Sequence, residues 1–137
     1  MAQRLLPSSR RRLLTGLALS AGLASPLAVA DDPDRIQGER LFRNQCVGCH
    51  SLASGVHIAG PSLHALIGRP AGSLSGFGYS LALEEADFVW NAETLDAFLA
   101  APADFLPGNR MVLWGLGEGP RRQIIRYLDA LASDAEP

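Results

Sequence analysis

Apolar residues recur at helical spacing in three stretches of this chain, and strand-like alternation is sparse. Ile124, Ile125, Leu128 and Leu131, with Tyr127 beside them, mark one face of a last helix that Pro120 opens. Leu95, Phe98 and Leu99 mark a face of a second helix over residues 94–100. Ile36, Gly38, Phe42 and Cys46 mark a first helix starting at Asp31-Asp32-Pro33, where proline is tolerated in the first turn. A loop rich in glycine, serine and proline runs over 51–79, with a short helix expected at 63–67 and another at 81–86. Pro102 and Pro107 interrupt the chain after the middle helix, and residues 133–137 are expected to fray. The pattern predicts one all-α domain, with neither an internal repeat nor a second domain.

The first thirty residues read differently. Arg10, Arg11 and Arg12 precede an apolar stretch over 13–23, and Ala28-Val29-Ala30 offers a small-x-small cleavage site before Asp31. The expectation is a cleaved signal peptide at 1–30 and a mature domain at 31–137. Residues 9–14 also resemble a twin-arginine signal. An uncleaved membrane anchor is the alternative, but the apolar run is short of the ~20 residues a span needs. Export would take the domain to an oxidising compartment, the periplasm.

Charge narrows the function further. The chain contains no lysine, so all 12 of its basic residues are arginine. Arg4, Arg10, Arg11 and Arg12 leave with the leader, and 8 arginines then face 14 acids, a formal charge of −6. A domain this acidic is not a nucleic-acid binder. At 107 residues it is also small, and a buried cofactor would add apolar surface that so short a chain lacks.

Cys46-Val47-Gly48-Cys49-His50 names that cofactor. Two thiols separated by two residues, with a histidine immediately after, form the attachment signature of a covalent haem c. Each thiol can add across one vinyl group, and His50 then lies beneath the porphyrin as an iron ligand. The signature uses both cysteines of the chain. A thioredoxin-like pair would need a βαβ context, and a zinc knuckle would need a second ligand pair beyond His57 and His64. A disulfide would give no reason for His50.

A second axial ligand has to come from elsewhere. Met111 is the one methionine of the mature chain, and it follows the turn-rich Pro107-Gly108-Asn109-Arg110. Its soft thioether favours ferrous over ferric iron. Filling a core gap is the ordinary alternative for such a residue. His57 and His64 are rival ligands, but both lie close to His50 along the chain, which makes the opposite face of the haem awkward to reach.

Several motifs follow one another in a familiar order: Gly38-Glu39-Arg40-Leu41-Phe42 before the haem signature, Gly60-Pro61-Ser62-Leu63-His64 with Gly68-Arg69 after it, then Gly78-Tyr79-Ser80, Trp90, Glu93-Thr94-Leu95, Pro102 and Pro107-Gly108-Asn109-Arg110-Met111. Across 38–131 the chain resembles the class I cytochromes c, in the branch of mitochondrial cytochrome c and bacterial cytochrome c2. The resemblance implies the small cytochrome c fold, in which N- and C-terminal helices cross and short helices and loops wrap one haem. It implies iron held by His50 and Met111, and a Pro61 carbonyl that fixes the His50 ring. It gives Tyr79 and Trp90 as donors to a haem propionate, with Arg69 offsetting its charge. It also makes His57 a loop-bridging residue and leaves His64 on the surface. Gly38 would let the first helix approach the last.

The departures are as informative. Phe98 stands where the family has a tyrosine near the methionine ligand, and Leu83 where it has an asparagine, which implies a drier distal side. The family's docking ring of lysines is missing. Arg110, Arg121, Arg122 and Arg126 are expected to form a smaller basic patch, with Arg121 and Arg122 as a merely solvated helix face the alternative. Met111-Val112-Leu113-Trp114 suggests an apolar rim, unless Trp114 is buried under the last helix. The implied function is a periplasmic one-electron carrier and not an enzyme. Its partners would be redox proteins: a membrane electron-transport complex, a terminal oxidase or a periplasmic dehydrogenase, with no small-molecule substrate. The alternatives are a bound relay subunit of such a dehydrogenase and a peroxidase, which would need an open iron position.

Overall fold

The computed structural model describes residues 32–133, so the leader at 1–30, the start of the mature domain at Asp31 and the tail beyond 133 lie outside the described residues. Among the described residues five helices follow one another: α1 Pro33–Gln45, α2 Leu81–Glu84, α3 Ala92–Ala100, α4 Pro102–Phe105 and α5 Glu118–Ser133. Among the described residues, extended pairing amounts to isolated bridges, His50 with His57 and Pro70 with Val89. The architecture is the expected all-α one.

The first and last helices cross at Gly38. A β-carbon there would stand 2.6 Å from the Gln123 carbonyl carbon and 2.9 Å from Tyr127 Cβ, so only glycine permits this approach. One turn on, Phe42 is almost wholly buried, and its ring meets Tyr127 at 5.6 Å between centroids. Ile124, Ile125 and Leu128 complete the seam from α5. Ile36 is exposed, so the inward stripe of α1 runs through Gly38 and Phe42.

Polar groups tie the same pair of helices at their ends. Asp32 caps α1 by accepting the Asp34 N–H at 3.0 Å. Arg126 pairs with Asp32 at 3.2 Å, Arg122 with Asp34 at 3.3 Å, and the Gln123 amide donates to Asp34 at 3.1 Å.

The middle of the chain packs on an aromatic cluster. Trp90 meets Phe88 edge-on at 4.8 Å and Phe98 at 5.2 Å, and Phe105 closes the group against both phenylalanines. Helix α3 begins at Ala92, two residues earlier than expected. Asn91 and Thr94 form a reciprocal capping box there, with bonds of 2.9 Å each way.

Three local expectations need correction. Residues 63–67 form turns and not a helix. Ala65 takes a left-handed φ of 46°, and neighbouring backbone groups bond outside the segment, Leu63 N–H to Ser51 and Gly68 N–H to Trp90. Helix α2 stops at Glu84, with Glu85 as its cap, and does not reach residue 86. Pro102 does not merely interrupt the chain: it opens the one-turn helix α4. Pro120 lies within the first turn of α5, which starts at Glu118.

Candidate functional site

One cavity of about 520 Å³ opens between the α1/α5 seam, α3 and the connecting loops, and its wall is mainly apolar. That size is usual for a cofactor site. All eight residues singled out from the sequence line it: Cys46, Cys49, His50, Pro61, Arg69, Tyr79, Trp90 and Met111. Buried Phe42, Leu95, Leu99, Ile124 and Leu128 line it as well, so the buried stripes of α1, α3 and α5 that form the core also form the cavity wall.

The floor is built where α1 ends. The His50 N–H and the Cys49 N–H both donate to the Cys46 carbonyl, at 2.9 and 3.0 Å, which brings the two thiols and the imidazole to one turn. Both thiols are free, Cys46 half-buried and Cys49 exposed. Burial, with the Cys49 charge adding to it, pushes the Cys46 thiol up to about 11. His50 Nδ1 lies 2.8 Å from the Pro61 carbonyl oxygen. A carbonyl can only accept, so Nδ1 carries the proton and Nε2 keeps its lone pair. Burial lowers the His50 pKa and the Pro61 bond works against it, leaving a neutral imidazole, the form that binds a metal. Gly60 makes room for that ring: a β-carbon there would stand 2.7 Å from His50 Nδ1.

The loop that carries Pro61 is pinned from both sides. His57 Nδ1 accepts the Ser62 N–H at 3.1 Å, and Nε2 reaches the Ser75 carbonyl at 3.2 Å, so His57 bridges two loops. Ser62, almost wholly buried, donates its hydroxyl to Ala53 at 2.7 Å. Sequence reasoning gave Ser62 no role, and nothing in a lone serine signals one. His64 is exposed.

Polar donors also line the cavity. Arg69 donates to the carbonyls of His64 at 2.8 Å and Ser62 at 3.0 Å, and it shares the cavity lining with Tyr79. Tyr79 and the buried Trp90 line the same cavity, and each side chain carries a hydrogen-bond donor. Two such donors beside a guanidinium suit an anionic carboxylate. Leu83 and Phe98, both apolar, also face the cavity.

The outer wall is the segment after α4. Met111 and Leu113 are partly buried against the core, whereas Val112 and Trp114 are 92% and 99% exposed. Trp114 is therefore not covered by the last helix, and the apolar rim is real. Three of the four arginines expected to form a basic patch are paired with acids. Arg121 forms a two-pronged pair with Asp96 at 2.8 and 3.1 Å, while Arg122 and Arg126 pair with the acids that begin α1. Arg110 donates to the Gly78 carbonyl. Acids carried on α1 and α3 face α5, so its arginines are neutralised where they stand.

No protein-family model matches the chain. It is 40% identical to a cytochrome c of Chlamydomonas reinhardtii over 106 residues, which cover 76% of this chain and 95% of that one. It is 37% identical to cytochrome c 2.1 of Caenorhabditis elegans over 97 residues, 70% of this chain and 87% of the other. A cytochrome c of Euglena viridis is 36% identical over 99 residues, covering 72% and 97% respectively. The chain belongs to the cytochrome c family.

A cytochrome c carries electrons and is not an enzyme. The cofactor of this one is a single haem c, joined through Cys46 and Cys49. The site suits it: two free thiols on one turn, an imidazole with its ring fixed and Nε2 open, an apolar wall, and Tyr79, Trp90 and Arg69 as donors in the lining.

Proposed function

We propose that this cytochrome c is a mobile one-electron carrier of the periplasm, with its iron ligated by His50 and Met111. One observation carries the reading: every residue expected to touch the haem lines the same cavity, and Pro61 leaves His50 with one nitrogen free. Haem c, when bound, supplies the one-electron couple between ferrous and ferric iron. The chain's residues do the rest. Pro61 orients His50 and strengthens it as a ligand. Met111 offers a soft thioether that favours the ferrous state. Tyr79, Trp90 and Arg69 hold the negative charge of a propionate. The apolar wall, including Leu83 and Phe98, excludes water and lowers the local dielectric, which disfavours the more charged ferric form.

The partners we infer are redox proteins: a membrane electron-transport complex, a terminal oxidase or a periplasmic dehydrogenase. Val112 and Trp114 beside the cavity support docking by apolar contact, and the neutralised arginines support weak long-range steering. The same exposed pair favours a second reading, a relay bound within a dehydrogenase complex. Among the described residues no helix is long and apolar enough to cross a membrane. The periplasmic assignment rests on the leader pattern at 1–30.

Two measurements on protein from its native host test this. Mass spectrometry of the periplasmic fraction should find a chain beginning at Asp31 with one haem added; an intact leader on membrane-bound protein would contradict a freely mobile carrier. Size-exclusion should then show a free small species for a mobile carrier, whereas stable co-migration with a larger partner would favour the relay.

A further inference from the structure

The segment that carries Met111 is fastened at both ends, and the two fastenings differ. At its far end the Leu116 N–H donates to the Leu99 carbonyl at 2.9 Å, and the Leu116 carbonyl accepts from Arg121 at 2.7 Å. Arg121 is itself held by Asp96 of α3. Backbone and an ion pair make that anchor, five residues away from Met111.

At the near end Arg110 donates to the Gly78 carbonyl, and one side chain, Asn109, bonds the Met111 backbone itself. Leu106-Pro107-Gly108-Asn109 turns the chain, with the Leu106 carbonyl accepting the Asn109 N–H at 3.1 Å and Gly108 at a φ of 89°. The Asn109 amide then bonds three ways. Nδ2 donates to the Pro102 carbonyl at 2.7 Å and the Leu106 carbonyl at 2.9 Å, and Oδ1 accepts the Met111 N–H at 2.9 Å. Two acceptors on one side and one donor on the other leave the amide a single workable orientation. The amide thus spans from both ends of α4 to the backbone of Met111. Asn109 is partly buried, so water competes little for these bonds.

We propose that Asn109 is a positioning residue for Met111: its amide locks the Met111 backbone to α4 and so holds the thioether toward the cavity. This rests on the reading of Met111 as an iron ligand. Methionine is a neutral ligand with several rotatable bonds, so its hold depends on how firmly its backbone is placed. Loosening the near anchor leaves the fold standing, because the α1/α5 seam and the Leu116 anchor do not involve Asn109. It raises instead the fraction of molecules in which the thioether is away from the iron. A competing ligand binds that fraction, and its apparent affinity rises in proportion.

The test titrates the ferric holoprotein with imidazole and follows the far-red band of methionine–iron ligation. Asn109→Ala, which removes all three bonds, should bind imidazole about tenfold more tightly than the parent, the equivalent of ~1.4 kcal/mol. Asn109→Asp keeps the acceptor for Met111 but sets a carboxylate against two carbonyl oxygens, so it should tighten imidazole binding at least as much. Asn109→Ser, whose hydroxyl can still accept from the residue two ahead, should lie between and serves where the alanine variant does not accumulate. Leu131→Ala, on α5 and outside the cavity wall, is the comparison: it should lower the melting temperature and leave imidazole affinity within about twofold. Unchanged affinity in the Asn109 variants, or an equal rise in Leu131→Ala, overturns the proposal. Survival of the far-red band in Met111→Ala would instead overturn the ligand reading on which it rests.

Discussion

Gly38 lies so close to Gln123 that a β-carbon on it would stand 2.6 Å from the Gln123 carbonyl carbon. That contact sets the crossing of α1 and α5, and with it the distance between Cys46 at the end of α1 and the apolar wall supplied by α5. Gly38→Ala should therefore destabilise the holoprotein by about 1–3 kcal/mol in denaturant titrations, although alanine is the better helix former by ~1 kcal/mol. A variant more stable than the parent would show that the helices can separate without cost.

The acids at the other helix contacts predict a pH dependence. Asp96 is held below the usual carboxylate range, chiefly by the hydrogen bond from Arg121, and Asp34 likewise, chiefly by Gln123. A carboxylate depressed in the folded state stabilises it above its unfolded pKa of about 3.9, and that stability is lost as pH falls through the lower folded value. Asp96→Asn should thus be less stable than the parent near neutral pH, with the difference narrowing below a pH of about 3.9. Solvent screening keeps the effect modest. Urea midpoints at the two pH values decide it; a gap that stays constant would remove Asp96 from the account.

The ion pairs also mark where sequence reading stopped. Leu95, Phe98, Leu99 and the Ile124–Leu128 face were legible because burial there follows helical periodicity, and the haem signature and the residues placed around it converge on one cavity. Pairings such as Arg122 with Asp34 join residues 88 apart, and no local pattern encodes them. Four arginines near one another in sequence therefore looked like a basic patch. Residues 63–67 looked helical by composition, but tertiary hydrogen bonds from Leu63 and Gly68 took their backbone elsewhere. The exposure of Trp114 was undecided for a related reason: whether a helix covers it depends on where the segment after Met111 is anchored.

Leu83 and Phe98 give the cavity wall a drier face. Polar groups at these positions would stabilise the more charged ferric state. Leu83→Asn and Phe98→Tyr should each lower the reduction potential by an amount on the order of tens of mV, where 59 mV is a tenfold change for one electron. Potentiometric titration measures this directly, and unmoved potentials would show that these side chains do not tune the iron.

Val112 and Trp114 should dominate docking. Trp114→Ser is expected to slow electron transfer to a native partner about tenfold, as loss of an aromatic anchor does. Its melting temperature should barely change, since the side chain is 99% exposed. The parent's rate should fall only gently with ionic strength. A steep fall would restore charge as the steering force.

The central claim is a haem whose iron is gripped by His50 on one face and Met111 on the other. The ferric absorption spectrum of the holoprotein tests it most directly. The parent should be low-spin with the weak far-red band of methionine ligation, and Met111→Ala should lose that band while keeping the haem. A high-spin parent that readily binds carbon monoxide or peroxide, or a Met111→Ala variant that retains the band, would contradict it.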